Sequence, residues 1–441
     1  MPFEESITKP RPNWLRSVLL GGSVRLLILP VSALCAILTA RITIDATGIV
    51  AYGYINAVAM LFMMVPFADL GVGASVATSV AKRSSSVEHH LLMYRSIISS
   101  VRILICVVVV IAVGAAGLVF SGLMHDLLGL PNNIGSANYL PVFFAFVLFG
   151  LSLPLGLGYR ILVGLGSNSI IALGSVVAPL TTLLYSAFIA QLHIEVFYFA
   201  LGPTLGLIAT NIFASINAKK LLGLSISRLL RDSIKVRRVK GTRVLDTAWP
   251  MVITYSAFAL LLHSHRLLLS HWSTPLDLAA YSLVVQLYLP AWSVIHMAGT
   301  VLWSEFAVSN QKQKTWTQAN FALTFIAVLG ALGLYILGPW VVGVMNPGNA
   351  LEVRPILLAF GFLMIVLGLD LTQTMLLVSP SQLRTRAYWA MAALAAYSFV
   401  SAPVTHHFGA AGLIWTTGMI FLLVQVVPNF IAGFAFLKSS K

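Results

Sequence analysis

The sequence is short of charge, and shortest of acid. Of its 441 residues only 9% are Asp, Glu, Lys or Arg, and 13 acids stand against 27 bases. A soluble domain carries about 25% charged residues. A chain that is 59% hydrophobic, with mean hydropathy +0.92, has too little polar surface to stay in water, so the bilayer must be its solvent. Cysteine is scarce as well. The two cysteines, Cys35 and Cys106, both lie in apolar runs and are expected as small buried hydrophobes rather than a disulfide. Catalytic and nucleotide signatures are missing: there is no G-x-x-x-x-G-K-[ST] loop, no G-x-S-x-G elbow and no metal-spaced Cys/His set. Nothing here calls for an enzyme, a metal or a cofactor. Any pumping would draw on an ion gradient, the substrate gradient or a partner. The formal charge of +14 does not read as a nucleic-acid surface, because the bases sit beside apolar runs rather than along one polar face.

What the chain has in abundance is long apolar runs, six on either side of a basic stretch. They predict membrane helices over about 18–40, 48–67, 97–120, 139–159, 169–190 and 195–216, and then 250–271, 279–303, 318–344, 355–379, 388–404 and 410–436. Most are about 20 residues long, enough to cross a hydrocarbon core of about 30 Å. Inside lipid every backbone donor and acceptor must be satisfied within the segment, so the expected fold is an all-α integral membrane protein of twelve helices. Lys9, Arg11 and Arg16 precede the first run as they would in a signal peptide. No cleavage site followed by a polar mature chain appears, and the run is expected as a retained helix.

The basic stretch 218–249 holds Lys219, Lys220, Arg228, Arg231, Lys235, Arg237, Arg238, Lys240 and Arg243. It divides the chain into an N-terminal bundle, 1–217, and a C-terminal bundle, 250–441. Most other bases fall on the same side of the membrane as this connector, among them Lys82, Arg83, Arg95, Arg160, Lys312, Lys314, Arg384, Arg386 and Lys438. That asymmetry places both termini in the cytoplasm. The connector reads equally as an amphipathic helix on anionic headgroups or as a solvated loop that sets topology. The halves also echo each other: Gly48-Ile49-Val50-Ala51-Tyr52 parallels Asp277-Leu278-Ala279-Ala280-Tyr281, each before a new apolar helix. Six helices per half imply a parallel repeat about an axis along the membrane normal.

Charges placed inside the spans are the candidates for function, because burying one costs at least a few kcal/mol unless it faces a cavity or partner. Arg25 lies within the first helix, Arg41 at its far end, and Arg266 late in the seventh within His263-Ser264-His265-Arg266. A fixed guanidinium charge with forked donors suits a diphosphate or an acidic sugar. These arginines could line a cationic central cavity, or they could snorkel to the two interfaces. His263 and His265 could titrate or hydrogen-bond sugar hydroxyls, or be satisfied by neighbouring helices. Asp69 closes the second helix as a packing or gating residue. Asp370, deep in the tenth, could pair with an arginine or carry a proton. His89-His90 and His406-His407 read as ordinary loop residues, and Trp249, Trp272 and Trp340 as interfacial anchors.

Several stretches resemble polysaccharide flippases of the Wzx type. Thr39-Ala40-Arg41-Ile42 with Thr47-Gly48-Ile49-Val50-Ala51-Tyr52 is similar to the end of their first helix. Ala68-Asp69-Leu70-Gly71-Val72-Gly73 through Val80-Ala81-Lys82-Arg83 is similar to their second-helix exit, and Phe408-Gly409-Ala410-Ala411-Gly412-Leu413 to the start of their twelfth. The resemblance lies at the level of the multidrug/oligosaccharidyl-lipid/polysaccharide (MOP) exporter superfamily. Where that family carries an acid followed by a base in helix 7, this chain reads His265-Arg266-Leu267-Leu268-Leu269: the base is retained and His265 replaces the acid. The resemblance implies two six-helix bundles around a V-shaped cavity working by alternating access. The substrate would be a polyprenyl-diphosphate-linked oligosaccharide, carried across the bacterial inner membrane for surface polysaccharide synthesis. Membrane lipids, a polysaccharide polymerase and chain-length proteins would be its surroundings. Two alternatives stand beside it. One is a multidrug or small-molecule cation antiporter of the same superfamily, disfavoured by the scarcity of membrane acids. The other is a membrane glycosyltransferase, polymerase or ligase, disfavoured by the lack of a large outer loop.

Overall fold

A computed structural model describes residues 14–61, 76–77, 79–80, 87–129, 139–223, 232–233, 245–300, 302, 306, 312–347 and 351–439. All regular structure among these residues is helical. The all-α membrane architecture expected from the sequence is what the structure shows. In chain order the α-helices are α1 (Trp14–Thr47), α2 (Ile49–Leu61), α3 (Val87–Phe120), α4 (Leu123–Leu128), α5 (Leu140–Leu155), α6 (Leu157–Gly164), α7 (Asn168–Gly174), α8 (Val177–Leu192), α9 (Leu201–Leu222), α10 (Leu245–His263), α11 (His265–Trp272), α12 (Pro275–Thr300), α13 (Lys312–Met345), α14 (Arg354–Leu376), α15 (Pro380–Ile420) and α16 (Val427–Ser439). A 3-10 turn (Val196–Ala200) leads into α9, and a π-helical turn (Phe421–Val426) joins α15 to α16.

Ten stretches of the described residues are long and apolar enough to cross a membrane. Two features relate that number to the twelve expected helices. The 13 residues of α2 are the beginning of the expected 48–67 helix, whose remainder lies outside the described residues. And α15 is two helices in one: Gly409, with φ +58° and ψ −150°, breaks it. A Cβ on Gly412 would touch both Phe408 and Val404, so the chain turns back on itself, and the second arm starts at Ala410 as expected. Only glycine holds such a dihedral without strain. Gly48, between α1 and α2, is likewise at positive φ, +85°.

The helices gather into two compact units that do not follow chain order. Unit 1 is 1–39, 66–126 and 136–249; unit 2 is 40–65, 127–135 and 250–441. Unit 2 therefore takes in α2 together with the C-terminal helices. The expected division at 217 and 250 is one of helix order rather than of contacts.

In unit 1, Val76, Val80, Met93, Ile97, Leu104, Leu157, Ile161 and Ala214 share a core under α3, α6 and α9. Pro154 interrupts the α5–α6 span, and Gly156 carries the chain across the break. Tyr159 N–H bonds to the Gly156 carbonyl at 3.1 Å, a tightened turn that frees the Leu155 carbonyl. Ser215 of α9 donates to it at 2.8 Å, and Asn211 of α9 donates to the Ser152 carbonyl at 2.9 Å. Side chains of a neighbour thus replace water where the backbone is broken. Gly158 permits the approach, since a Cβ there would lie 2.5 Å from the Ser215 Cα. Most of the basic connector lies outside the described residues, but Asp232 and Ser233 are held on α3. Tyr94 donates to the Asp232 carboxylate at 2.6 Å, and Arg102 donates to the Ser233 and Asp232 carbonyls at 2.8 and 3.1 Å. The outer surface of α3 is apolar: Val110, Val113 and Phe120 are all exposed. Cys106 lies there too and is exposed, against the expectation of burial. Only 17% of this span is buried, so a residue in its apolar run has more lipid than protein to face. Cys35 is buried as expected, and both thiols are free.

Unit 2 is built around α14, 72% of whose apolar window is buried. Helices in lipid associate by close packing rather than by escape from water, so small residues mark their contacts. Gly361 meets Ala331, Gly368 meets Ala327, and Gly338 lies against Leu357, which brings α13 and α14 together along their length. Asp370, Gln373 and Thr374 of α14 are tied to neighbouring helices. Asp370 accepts from Thr374 at 3.0 Å and from Asn429 of α16 at 3.1 Å. Arg386 of α15 donates to the Thr374 hydroxyl at 2.7 Å. Gln373 accepts from Trp316 at 2.9 Å and donates to Asn320 at 3.2 Å, both on α13.

Gly409 is constrained twice, because a Cβ there would also fall 2.7 Å from the Asp277 carboxylate. Gly409→Ala is expected to cost about 1–3 kcal/mol from the backbone conformation alone. A drop in the unfolding temperature of the detergent-solubilised protein is the measurement; an unchanged temperature would refute the turn.

Candidate functional site

Two arginines of unit 2 are buried with no carboxylate in ion-pair contact among the described residues, Arg266 and Arg386. Arg386 is held by the Thr374 hydroxyl and carbonyl, whereas Arg266 has no such anchor. It is only 2% exposed. It sits in the first turn of α11, just past the irregularity at Ser264 that separates α10 from α11. Its guanidinium lies 5.2 Å from the ring centre of Tyr281 on α12, a cation–π contact that partly replaces lost hydration. Its Nε and Nη2 have no hydrogen-bond partner. A buried charge is normally paired and fully hydrogen-bonded, so this arrangement leaves donors over.

The surrounding side chains come from four helices. His265 is buried; its Nδ1 meets the Tyr281 hydroxyl at 2.9 Å and its Nε2 the Thr417 hydroxyl at 2.8 Å. Tyr397, on the other arm of the α15 hairpin, meets Ser264 at 3.1 Å and lies beside the His265 ring. These contacts hold the imidazole and fix the start of α11, so His265 positions its neighbour. From α2 comes Tyr52, buried, with Asn56 and Gln286 beside its hydroxyl and close enough to interact electrostatically with Arg266. The α2 face packs closely on α12: residues 51–59 are all buried, a Cβ on Gly53 would lie 3.2 Å from Leu278 and Ala279, and Gln286 donates to Asn56 at 3.3 Å.

The sequence candidates are distributed as follows. Arg266 and His265 are together, with His263 half-buried beside them. Arg41 lies in the last turns of α1, about half exposed, with its Nε 3.8 Å from Asp45. Asp370 belongs to the α14 network and is buried. The side chain of Arg25, and Asp69 altogether, lie outside the described residues. Sequence reasoning missed Tyr397, Thr417, Asn56 and Gln286, which carry no motif. Tyr52 and Tyr281 did carry a signal: they are the equivalent residues of the two echoing stretches, and the fold brings both to one guanidinium.

No family model matches the chain, and no curated protein matches it. Solved structures do. An inward-facing multidrug resistance MATE family transporter of the MOP superfamily matches with TM-score 0.64 at 12% identity, over 95% of this chain and 98% of its own. The lipid II flippase MurJ in an inward closed conformation matches with TM-score 0.64 at 13% identity, over 94% and 87%. A MOP superfamily transporter from Pyrococcus furiosus, described by the reverse polarity of its binding pocket, matches with TM-score 0.65 at 11% identity, over 97% of each chain. The chain therefore has the fold of MOP superfamily transporters, and the structures it resembles are transporters and flippases rather than enzymes.

An unsatisfied buried guanidinium is a cost to the fold. Arg266→Met, of similar length and apolar, is expected to leave the unfolding temperature unchanged or raise it, since replacing buried charge by apolar volume is often neutral or stabilising. Tyr281→Ala should lower it by removing an aromatic side chain and the His265 hydrogen bond, at about 3–5 kcal/mol. Thermal unfolding in detergent checks both.

Proposed function

We propose that this chain is a flippase for a polyprenyl-diphosphate-linked oligosaccharide, acting by alternating access between two helix bundles that follow the sequence halves. The observation that carries the reading is Arg266: a buried fixed cation with orphaned donors, kept in place at a cost to stability. Such a group is matched to an anion that arrives later, and a diphosphate offers oxygens in the geometry a guanidinium fork prefers. In the described arrangement Tyr52 and Tyr281 cover it. Separation of the α2 face from α11 and α12 would offer the guanidinium to the headgroup, while the polyprenyl tail stays in lipid. In this reading Arg25 lends a second positive charge, His263 contacts sugar hydroxyls and Asp69 gates. Arg41, already facing Asp45, contributes least. The excess of bases on one side of the membrane supports an inner-membrane location with both termini cytoplasmic, beside a polymerase and chain-length proteins.

A second reading, a cation-coupled antiporter of small molecules, draws on one observation. Asp370 is a buried acid whose two oxygens are held by Thr374 and Asn429, the kind of residue that can take up a proton or ion within a span. In the flippase reading the same residue supplies ion coupling.

Surface polysaccharide export in the source cell separates the two. Arg266→Ala and Arg25→Ala are expected to cut export at least about tenfold at unchanged protein level in the membrane, the loss of about 1.4 kcal/mol or more of substrate binding. Normal export in both variants overturns the proposal. Asp370→Asn is expected to slow export without changing drug sensitivity; a drug-sensitive strain with intact polysaccharide selects the antiporter instead.

A further inference from the structure

Arg266 is not the only functional feature of unit 2. At the end of the unit where α11 stops, α12 and α14 start and the α15 hairpin turns, there is a cavity of about 740 Å³. Ligand pockets are commonly 300–1,000 Å³, largely aromatic or apolar, with a few convergent polar groups. This one brings together Trp272, Phe408, His406, His407, Asp277 and Glu352. Trp272 is 43% and Phe408 71% exposed, so both rings offer a face. His406 and His407 stand edge to face with ring centres 5.0 Å apart. The sequence reads them as ordinary loop residues; the hairpin makes them part of a wall.

The cavity is built, not incidental. Gly409 lets the hairpin backbone come down onto Asp277. Ser273 donates to the Asp277 carboxylate, and the Thr274 hydroxyl accepts from the Asp277 backbone N–H at 3.1 Å, so the carboxylate is oriented by the start of α12. The walls carry no positive side chain. Lys314, Arg384, Arg386 and Lys438 lie at the opposite end of the same unit, at the start of α13 and α15 and the end of α16, and Arg354, at the start of α14, is the one such base of α13–α16 at the cavity end. By that asymmetry the cavity opens away from the cytoplasm. Its acids and aromatics do not fit the diphosphate that Arg266 suits.

Exposed aromatic faces beside carboxylate and imidazole acceptors match the surface of a sugar. Its C–H faces are apolar and pack on rings, while its hydroxyls donate to charged oxygens in strong hydrogen bonds. We propose that this cavity is a carbohydrate-binding subsite for uncharged or amino-bearing pyranose residues, with ring faces on Trp272 and Phe408 and hydroxyls on Asp277 and Glu352. Polyanionic glycans are excluded by the two carboxylates. The source of the sugar is the glycan of the translocated lipid as it leaves. That role rests on the flippase reading; the binding itself does not.

The test uses the full chain in nanodiscs, fluorescently labelled, on an array of bacterial surface glycans. Binding is expected to a subset of neutral or amino-sugar glycans, competed by the same glycan free in solution. Trp272→Ala and Glu352→Gln are each expected to weaken it at least about tenfold, with unfolding temperature and membrane level unchanged, whereas Lys314→Ala, at the opposite end of the unit, should leave it intact. No glycan bound, or binding that survives both cavity variants, overturns the proposal. If Arg266→Ala and Arg25→Ala export normally while the array signal persists, the flippase reading falls and the sugar site stands.

Discussion

In a bilayer a polar group has no water to fall back on, and the details of this structure follow from how each such group is answered. Where Pro154 and Gly156 break a span, Asn211 and Ser215 of the next helix supply the donors that water would have given. Where Asp370 and Gln373 stand in the most buried helix, Thr374, Asn429, Trp316 and Asn320 complete them. Polar residues become links between helices, because the alternative is a group left unpaired in hydrocarbon. Of the buried polar atoms left without a partner among the described residues, in Tyr52, Ser282, Tyr288, Thr372, Arg386 and Arg266, Arg266 alone contributes two, its Nε and Nη2.

The rest of unit 2 makes those two orphaned donors tolerable. Glycine and alanine contacts pull α13 onto α14, and the hydrogen-bonded cluster on α14 ties in α15 and α16. The hairpin arms of α15 then bring Tyr397 and Thr417 to His265 from two sides, so the start of α11 has little freedom. The cover over Arg266 is α2, whose residues 51–59 are all buried, together with one amide–amide bond of 3.3 Å and two tyrosines. A charge shown to a ligand in one state and hidden in another requires that packed face to move as a unit.

The two candidate sites of this unit have opposite chemistry. One is a fixed cation within the membrane part; the other is an acidic, aromatic cavity at the end of the helices. A substrate with an anionic linkage and a neutral or amino-bearing glycan carries both complements in one molecule. That is a stronger constraint on substrate class than either site alone.

Composition and hydropathy determined by themselves that the chain is helical and lives in a bilayer, because a mean hydropathy of +0.92 leaves no other solvent and apolar runs of about 20 residues suit a spanning helix rather than a barrel strand. Pattern alone also marked Arg266 as costly to bury, and the apolar runs set the restart at Ala410. Tertiary structure decided the rest. It grouped α2 with the C-terminal helices and put Tyr52 beside Tyr281. It left Cys106 facing outward and Arg41 beside Asp45, and it made a wall of His406 and His407. Each of these depends on which face of a helix meets which neighbour. In a protein apolar on nearly every side, the periodicity that would reveal such faces is erased, since lipid and protein interior ask for the same side chains.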